Sequence, residues 1–274
     1  MQNERYIDLH MHSTFSDGVL KPEKLVEMAG RKNLSAISLS DHDSLNGYPD
    51  LLAAAAAADL EVIAGVEMSC EYDGSDLHIL AYGVSLEDDT FESMLGRFRE
   101  ARMKRGIRIT EKLAELGVPI EMSDVLARSG EGALGRPHIA EVLIDAGHVS
   151  DFGEAFAKYL GEDGPAYVEK YKMGPAEAVA HIHNAGGLAF VAHPGYYLSD
   201  EDSFEALLDE GFDGIEVHHP HHKGGVVKRL LGIATRRGLL VSGGSDFHGL
   251  AGRDNMGDPR VRYELLSRIK DKLA

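Results

Sequence analysis

Six short apolar runs, each of a length that suits one buried strand, alternate along the chain with segments of helical character. The apolar runs cover residues 36–39, 61–66, 77–82, 188–192, 214–217 and 239–242. The helical segments between them cover residues 22–32, 48–58, 175–185 and 226–237. This alternation is typical of βα units around a parallel sheet, so the sequence predicts an α/β fold.

Histidines and carboxylates lie in these apolar runs or directly after them. They are His42, Glu67, His78, His193, Asp246 and His248. Because βα loops at the carboxyl ends of strands converge on one mouth, we expect these side chains to lie close together. A buried polar group without a partner costs roughly 1 to 3 kcal/mol, so one shared site explains the pattern better than several unrelated burials.

The segment DLHMHSTFSDG at residues 8–18 adds a second pattern near the amino terminus. His10 and His12 are two residues apart, so on a strand both imidazoles face the same side and can bind one ion. Alone, this pair also fits two core histidines bonded to backbone, and Asp17 also fits a turn residue. Together with the strand-end residues, the pair favours a site for divalent ions, in which the two oxygens of Glu67 can serve two ions.

Composition narrows the classes of protein that this sequence fits. The net charge is -17, with 45 acidic against 28 basic residues, which disfavours binding to duplex DNA. Fourteen histidines accompany these carboxylates, and the two residue types are the usual ligands of Zn, Mn and Fe.

The longest apolar runs are far shorter than the ~20 residues that span a bilayer, so we expect no membrane partner. The start MQNERYIDLH lacks a signal-peptide pattern and Cys70 is the lone cysteine, so we expect a cytoplasmic protein.

Residues 101–165 contain no convincing strand-like run; helical segments are joined there by glycine-rich and charged stretches. We interpret residues 101–165 as an inserted helical subdomain for substrate binding, with residues 1–100 and 166–274 as the two parts of one catalytic domain. A basic helix lies around the start of this segment. Its cationic residues are Arg97, Arg99, Arg102, Lys104, Arg105, Arg108 and Lys112. Such a helix can guide an anionic substrate or form a solvated face.

Seven short motifs, in order along nearly the whole chain, resemble those of the PHP (polymerase and histidinol phosphatase) phosphoesterases. They are DLHMHSTFSDG (8–18), SDHDS (40–44), GVEMS (65–69), LHILAYG (77–83), VAHPG (191–195), IEVHHP (215–220) and GGSDFHG (243–249). The resemblance implies a distorted (β/α)7-type barrel that carries three divalent metal ions.

The resemblance also implies which residues bind each ion. The first ion would take His10, His12, Glu67 and Asp246; the second would share Glu67 and add His78 and His193; the third would take Asp17, His42 and His248. Some members of the family have a histidine where Asp17 stands, and a carboxylate favours a harder third ion such as Mn²⁺ or Mg²⁺. We expect Mn²⁺ first, with Zn²⁺, Fe²⁺ or Mg²⁺ as alternatives, and Glu67 and Asp246 as catalytic residues.

The segment GRPHIA at residues 135–140 resembles stand-alone bacterial members that act on phosphorylated nucleotides and short oligonucleotides. Pro137 suits the first turn of a helix whose free N–H groups favour a phosphate. Arg136 would add a charge-assisted contact, as a catalytic and substrate-binding residue with His138 beside it. In the run HHPHHK at residues 218–223, the family pattern places His219 and His222 near the substrate rather than on the metal ions.

The resemblance implies a metal-dependent phosphatase of nucleotide 3′,5′-bisphosphates, which removes the 3′-phosphate and leaves a 5′-monophosphate. A second implied activity is 5′-to-3′ trimming of short oligonucleotides. The sequence has no GxxxxGK[ST] phosphate loop and no serine-nucleophile elbow. Two alternatives stay open. A histidinol-phosphate phosphatase would use the same ions but has little use for residues 135–140, and a non-catalytic metal-binding module would be expected to lose ligands.

Overall fold

The computed structural model describes residues 4–130, 132–169, 171, 173–196, 201–250 and 255–274. Its strands are β1 (Tyr6–Asp8), β2 (Leu34–Ile37), β3 (Glu61–Val62), β4 (Gly65–Tyr72), β5 (Ser75–Tyr82), β6 (Leu188–Val191), β7 (Gly214–His218), β8 (Leu240–Gly243) and β9 (Val261–Arg262). They form two sheets, one in the order β3-β2-β1-β9 and one in the order β4-β5-β6-β7-β8.

Helices pack around these sheets. They are α1 (Pro22–Arg31), α2 (Tyr48–Ala58), α3 (Asp89–Glu115), α4 (Met122–Ser129), α5 (Arg136–Asp145), α6 (Phe152–Ala155), α7 (Pro175–Asn184), α8 (Glu201–Leu208), α9 (Gly224–Arg237) and α10 (Tyr263–Leu273). A π-helical turn, Phe156–Leu160, continues α6. The four helices expected from the sequence are therefore confirmed within two residues, and the mixed α/β fold is confirmed. None of the described helices is long and apolar enough to cross a membrane.

The prediction of a parallel sheet is wrong for half of the larger sheet. Strands β6, β7 and β8 pair in parallel, but β4 pairs antiparallel with β5, and β5 antiparallel with β6. The reason is a tight hairpin between Tyr72 and Ser75, in which Asp73 and Gly74 both have positive φ. An Asp-Gly pair is a strong signal for such a turn. The predicted run 61–66 is also split, because β3 and β4 belong to different sheets.

A closed (β/α)7-type barrel, the expected architecture, is not confirmed. In the described part of the chain the two sheets are joined by isolated bridges, between Met11 and Phe247 and between His42 and Glu67. Three of these four residues lie beyond a strand end. The short strands give way to loops there, and these loops carry the polar residues of the site.

Two hydrophobic clusters lie under different parts of α3. Phe91, Leu95 and Phe98, near its start, pack in the cluster that fills the space around the sheets. Ile109 and Leu113, near its end, pack in a separate cluster whose members run from residue 109 to residue 168. A single 27-residue helix therefore connects the two clusters. The expected boundary at residue 101 falls inside this helix.

Candidate metal centre

Glu67 lies at the middle of a group of histidines. Strand β4 carries it, and its side chain is 1% exposed. Its Oε1 lies 2.9 Å from Nδ1 of His78 on the neighbouring strand β5, and 2.9 Å from Nε2 of His193, which follows β6. One oxygen of Glu67 therefore faces two imidazoles that come from different strands.

The other oxygen of Glu67 faces three more imidazoles. Its Oε2 lies 3.4 Å from Nε2 of His10, 3.3 Å from Nε2 of His12 and 3.2 Å from Nδ1 of His42. His10 and His12 sit in extended chain beyond β1, where the spacing of two residues puts both rings on one side. The two oxygens of Glu67 thus face different sets of histidines, as a carboxylate shared between two ions requires.

Asp246 and Asp17 complete the group with carboxylates. Asp246 Oδ1 lies 3.4 Å from Nε2 of His10 and 3.3 Å from Nε2 of His12. Asp17 lies 3.4 Å from Nε2 of His248 and 3.8 Å from Nε2 of His42. The structure therefore brings together all nine side chains that the sequence predicted as ligands.

In three of the histidines, a hydrogen bond at Nδ1 orients the ring so that its Nε2 points into this group. Nδ1 of His10 lies 2.9 Å from Glu216 Oε1, and Nδ1 of His248 lies 2.8 Å from the carbonyl oxygen of Asp246. Nδ1 of His12 lies 3.3 Å from Ser16 Oγ. When Nδ1 carries the proton and donates it outward, Nε2 presents a lone pair inward, which is the form that binds a metal ion.

Several buried polar atoms in the group have no hydrogen-bond partner among the described residues. They are Nε2 of His10, Nε2 of His12, Oδ1 of Asp17 and Nδ1 of His42. Four orphaned atoms around one point would be costly in an ion-free core. Sets of three such ligand atoms lie within 4.8 Å of one another, for example those of His10, His12 and Glu67. Imidazole nitrogens and carboxylate oxygens suit divalent transition metals, so these residues fit divalent ions.

Three buried aspartates brace the loops that carry the ligands, and the sequence analysis did not assign them a role. Asp8 accepts hydrogen bonds from the backbone N–H groups of Ser245 (2.9 Å) and Gly257 (2.8 Å). Asp41 accepts from the N–H of Ser13 (2.7 Å). Asp43 accepts from the N–H of Ser69 (2.8 Å) in the same way. These bonds tie loops from distant parts of the sequence to each other. The only available signal was that each aspartate lies next to or near a predicted ligand.

Glu216 is a fourth carboxylate that the sequence analysis missed. It is fully buried on β7 and joins two ligands of the group. Its Oε1 pairs with Nδ1 of His10, and its Oε2 accepts the backbone N–H of His193 at 2.6 Å. His193 and Asp246 both have φ in the left-handed region, 29° and 51°. Such backbone costs about 1 to 3 kcal/mol for a residue with a side chain, and the hydrogen bond from the N–H of His193 to Glu216 helps to hold His193 in this conformation.

The two histidines expected near the substrate differ in their contacts. His222 uses both ring nitrogens on backbone, since Nδ1 faces the carbonyl of Val217 and Nε2 accepts the N–H of Gly195, each at 2.9 Å. Neither nitrogen is then available to a phosphate. His219 accepts the N–H of His221 at Nδ1 and approaches Asp246 Oδ2 at 3.3 Å through Nε2. These contacts suit a residue that orients Asp246.

The residues expected on the helical segment lie at the start of α5. His138 accepts the N–H of Gly135 at Nδ1 (3.1 Å), which leaves its Nε2–H as a donor. His138 also lines a cavity of about 810 Å³ whose other walls include Asp17 and His248. Arg136 does not line that cavity. Its Nη1 donates to the carbonyl of Leu160 at 3.1 Å.

Opposite charges shift the pKa values of the group in the metal-free protein. Burial alone would raise the pKa of Glu67, but electrostatic interactions with the neighbouring His42, His78 and His10 hold that pKa well below its usual range. Burial would lower the pKa of His12, but Asp246 and Glu67 raise it to about 10. The pKa values of His10, His193 and His248 are also raised, whereas burial lowers the pKa of His42 to about 3.

Because the pKa values of four ligand histidines are raised, we expect metal binding to release protons. A raised pKa favours the protonated ring, most clearly at His12 with its pKa of about 10, and a metal ion must displace the protons that these rings carry. The dissociation constant for Mn²⁺ should therefore increase as pH falls. Titration calorimetry in buffers with different ionisation enthalpies measures the number of protons released. A binding enthalpy that is the same in every buffer would contradict this assignment.

Histidines and carboxylates that are buried together at the strand ends of an α/β protein are typical of enzymes that use divalent metal ions. The fold and the site therefore assign this protein to the class of metal-dependent enzymes. The chain belongs to the PHP domain family, whose family model matches residues 8–237.

Two relatives and one solved structure illustrate the similarity. The chain is 34% identical over 245 residues to a 5′-3′ exoribonuclease of Haemophilus influenzae, covering 88% of this chain and 89% of the relative. It is 33% identical over 255 residues to a 3′,5′-nucleoside bisphosphate phosphatase of Chromobacterium violaceum, covering 90% of each. The crystal structure of a protein from Bifidobacterium adolescentis, inferred to be a metal-dependent phosphoesterase, matches with a TM-score of 0.89 and 30% identity, covering 98% of this chain and 96% of that one.

Proposed function

We propose that this protein is a metal-dependent phosphatase that removes the 3′-phosphate from nucleotide 3′,5′-bisphosphates and also trims short oligonucleotides from the 5′ end. The observation that carries the proposal is the convergence of nine histidine and carboxylate side chains in one group, two of which, Asp17 and His248, line a cavity of about 810 Å³. The names of the two relatives support the same substrate class.

We propose three divalent ions, with Mn²⁺ as the first candidate, bound by the ligand sets that the resemblance to the family implies. The distances support Glu67 as the shared ligand of two ions, because its two oxygens face different histidines. The pairing of Asp17 with His42 and His248 supports a third position. Bound there, divalent ions lower the pKa of water toward neutrality and neutralise phosphate oxygens.

The protein's own residues supply position and electrostatics. Glu216 and the aspartates Asp8, Asp41 and Asp43 hold the ligand loops in place through buried hydrogen bonds. His219 orients Asp246. We assign His222 to the support of its own loop, since backbone groups take both of its ring nitrogens.

The helical residues 101–165 act in this proposal as the substrate-binding subdomain. The cavity reaches from Asp17 and His248 to His138, Glu141 and Phe152 on the helical segment. A cavity of this size accommodates most of a nucleotide, and Arg136, which does not line it, would bind a phosphate that extends beyond it. The Nε2–H of His138 can donate to a phosphate or ribose oxygen in it. Histidinol phosphate, the substrate of the alternative enzyme, would fill only part of this space.

The substrate class can be tested through Arg136. We expect Arg136→Ala to lower kcat/KM on adenosine 3′,5′-bisphosphate by roughly 10-fold to 150-fold, because a charge-assisted hydrogen bond contributes about 1.5 to 3 kcal/mol. The loss should be smaller on adenosine 3′-monophosphate, which lacks the second phosphate. Steady-state kinetics of wild type and variant on both substrates isolate this coupling.

Equal losses on the two substrates would show that Arg136 binds the scissile phosphate or acts structurally. A wild-type protein that prefers histidinol phosphate over every nucleotide would favour the alternative enzyme. Circular dichroism and the metal content of Arg136→Ala serve as controls for its fold.

A further inference from the structure

Two arginines from different helices lie around one tyrosine ring. The guanidinium carbon of Arg105, on α3, is 5.8 Å from the centre of the Tyr167 ring, and that of Arg136, on α5, is 5.9 Å from it. Nε of Arg105 donates to the carbonyl of Val168 at 2.7 Å, and Nη1 of Arg136 donates to that of Leu160. Each guanidinium is thus fixed by one backbone carbonyl and keeps further N–H groups for another partner.

The charge of Arg105 is incompletely compensated. Its Nη2 is buried and has no hydrogen-bond partner among the described residues. Burial, and then the charge of Arg136, lower the pKa of Arg105 to about 10, so it stays protonated at neutral pH. Asp76 is 3.9 Å from Nη2 of Arg136, too far to accept a hydrogen bond. A buried donor near a like charge is costly unless an anion binds to it.

These arginines lie beside the His78 side of the metal centre. Asp76, near Arg136, precedes His78 by two residues on β5. Arg102, three residues before Arg105 on α3, donates to Ser69 Oγ at 2.7 Å, and Ser69 pairs with His78 across β4 and β5. An anion held by Arg105 would therefore lie near the ligand His78.

We propose that Arg105 joins Arg136 to form a binding site for the non-scissile phosphate of a nucleotide substrate, an inference that rests on the proposed function. Two guanidinium groups offer forked N–H donors that match the oxygens of a phosphate monoester. The site would favour substrates with a second, distant phosphate over those with one. It assigns a role to Arg105, which the sequence placed only on a basic helix.

The test is the affinity of the manganese-loaded protein for adenosine 5′-monophosphate and for adenosine, measured by calorimetry. Wild type should bind the nucleotide more tightly than the nucleoside. Arg105→Ala should weaken binding of the nucleotide roughly 10-fold to 150-fold and leave binding of adenosine unchanged. Arg105→Lys, which keeps the charge but not the fork, should lose less. Arg108→Ala removes an exposed arginine of the same helix and should match wild type.

The outcome separates this inference from the proposed function. Equal binding of nucleotide and nucleoside by wild type, or an unchanged nucleotide affinity in both folded Arg105 variants, would overturn the site. A wild-type protein that binds adenosine 5′-monophosphate through Arg105, yet releases no phosphate from the 3′,5′-bisphosphate, would keep the site and remove the phosphatase assignment. Metal content and thermal unfolding of each variant confirm that the fold and the metal centre are intact.

Discussion

Replacing Glu67 by glutamine is expected to remove nearly all turnover while leaving the protein folded. The carboxylate faces five histidines through two oxygens, and the amide keeps its shape but removes its charge and one acceptor oxygen. A substitution that only disturbs the orientation of a ligand costs about 10-fold to 100-fold in metal affinity or activity, so loss of a shared ligand should exceed roughly 100-fold in kcat. Steady-state kinetics and a count of bound ions measure both effects.

The matched control for this variant is Glu71→Gln, on the same strand. It removes the same charge four residues further along β4, outside the group of ligands. We expect wild-type turnover and metal content from it, and also from Cys70→Ala. Wild-type turnover of Glu67→Gln with a full set of bound ions would show that Glu67 is not a ligand that the reaction needs.

Removal of the metal ions is expected to abolish activity and to destabilise the fold. The group contains no other nucleophile that the sequence or the structure identifies among the described residues. Ions present at about 100 times their dissociation constant contribute about 2.7 kcal/mol to stability, so the chelated protein should unfold about 5 to 10 °C lower. Differential scanning calorimetry before and after chelation measures the shift. The Glu67→Gln variant should shift less, because it starts with fewer ions.

The convergence of the nine predicted side chains could be anticipated from sequence because the fold enforces it. His42 lies five residues after β2 and His193 two residues after β6, each at the carboxyl end of a strand that has a parallel neighbour. The pair His10 and His12 needs only the two-residue period of extended chain. Local periodicity and the position of these residues in or after apolar runs were therefore enough to place these side chains together, whereas their roles as metal ligands stay a prediction.

The contacts that hold the ligands in place could not be anticipated in the same way. Asp8 and Ser245 are 237 residues apart, and His10 and Glu216 are 206 apart. Nothing in local composition shows which buried carboxylate meets which loop across such a separation. The antiparallel hairpin of β4 and β5 was missed for a different reason. The Asp73-Gly74 pair is a signal for a tight turn, but the surrounding alternation of strands and helices suggested a helical crossover between two parallel strands instead.

Basic residues on α3 show where sequence alone leaves alternatives open. Arg102 and Arg105 turn towards Asp43 and Val168, while Lys104 pairs with Glu100 on an exposed face. The run of basic residues was compatible both with a helix that guides an anionic substrate and with a helix face exposed to solvent. The spacing of residues along a helix does not reveal which face meets the neighbouring strands. The structure separates these residues by their contacts.

The most direct test of the metal-dependent phosphatase is a titration of metal-free protein with Mn²⁺, followed by phosphate release from adenosine 3′,5′-bisphosphate. No phosphate should be released at the start, because no divalent ion is then present to lower the pKa of water and to neutralise the phosphate oxygens. Release should increase with the number of bound ions and level off when the sites are full. Full turnover by protein verified to contain no metal would contradict the proposed function.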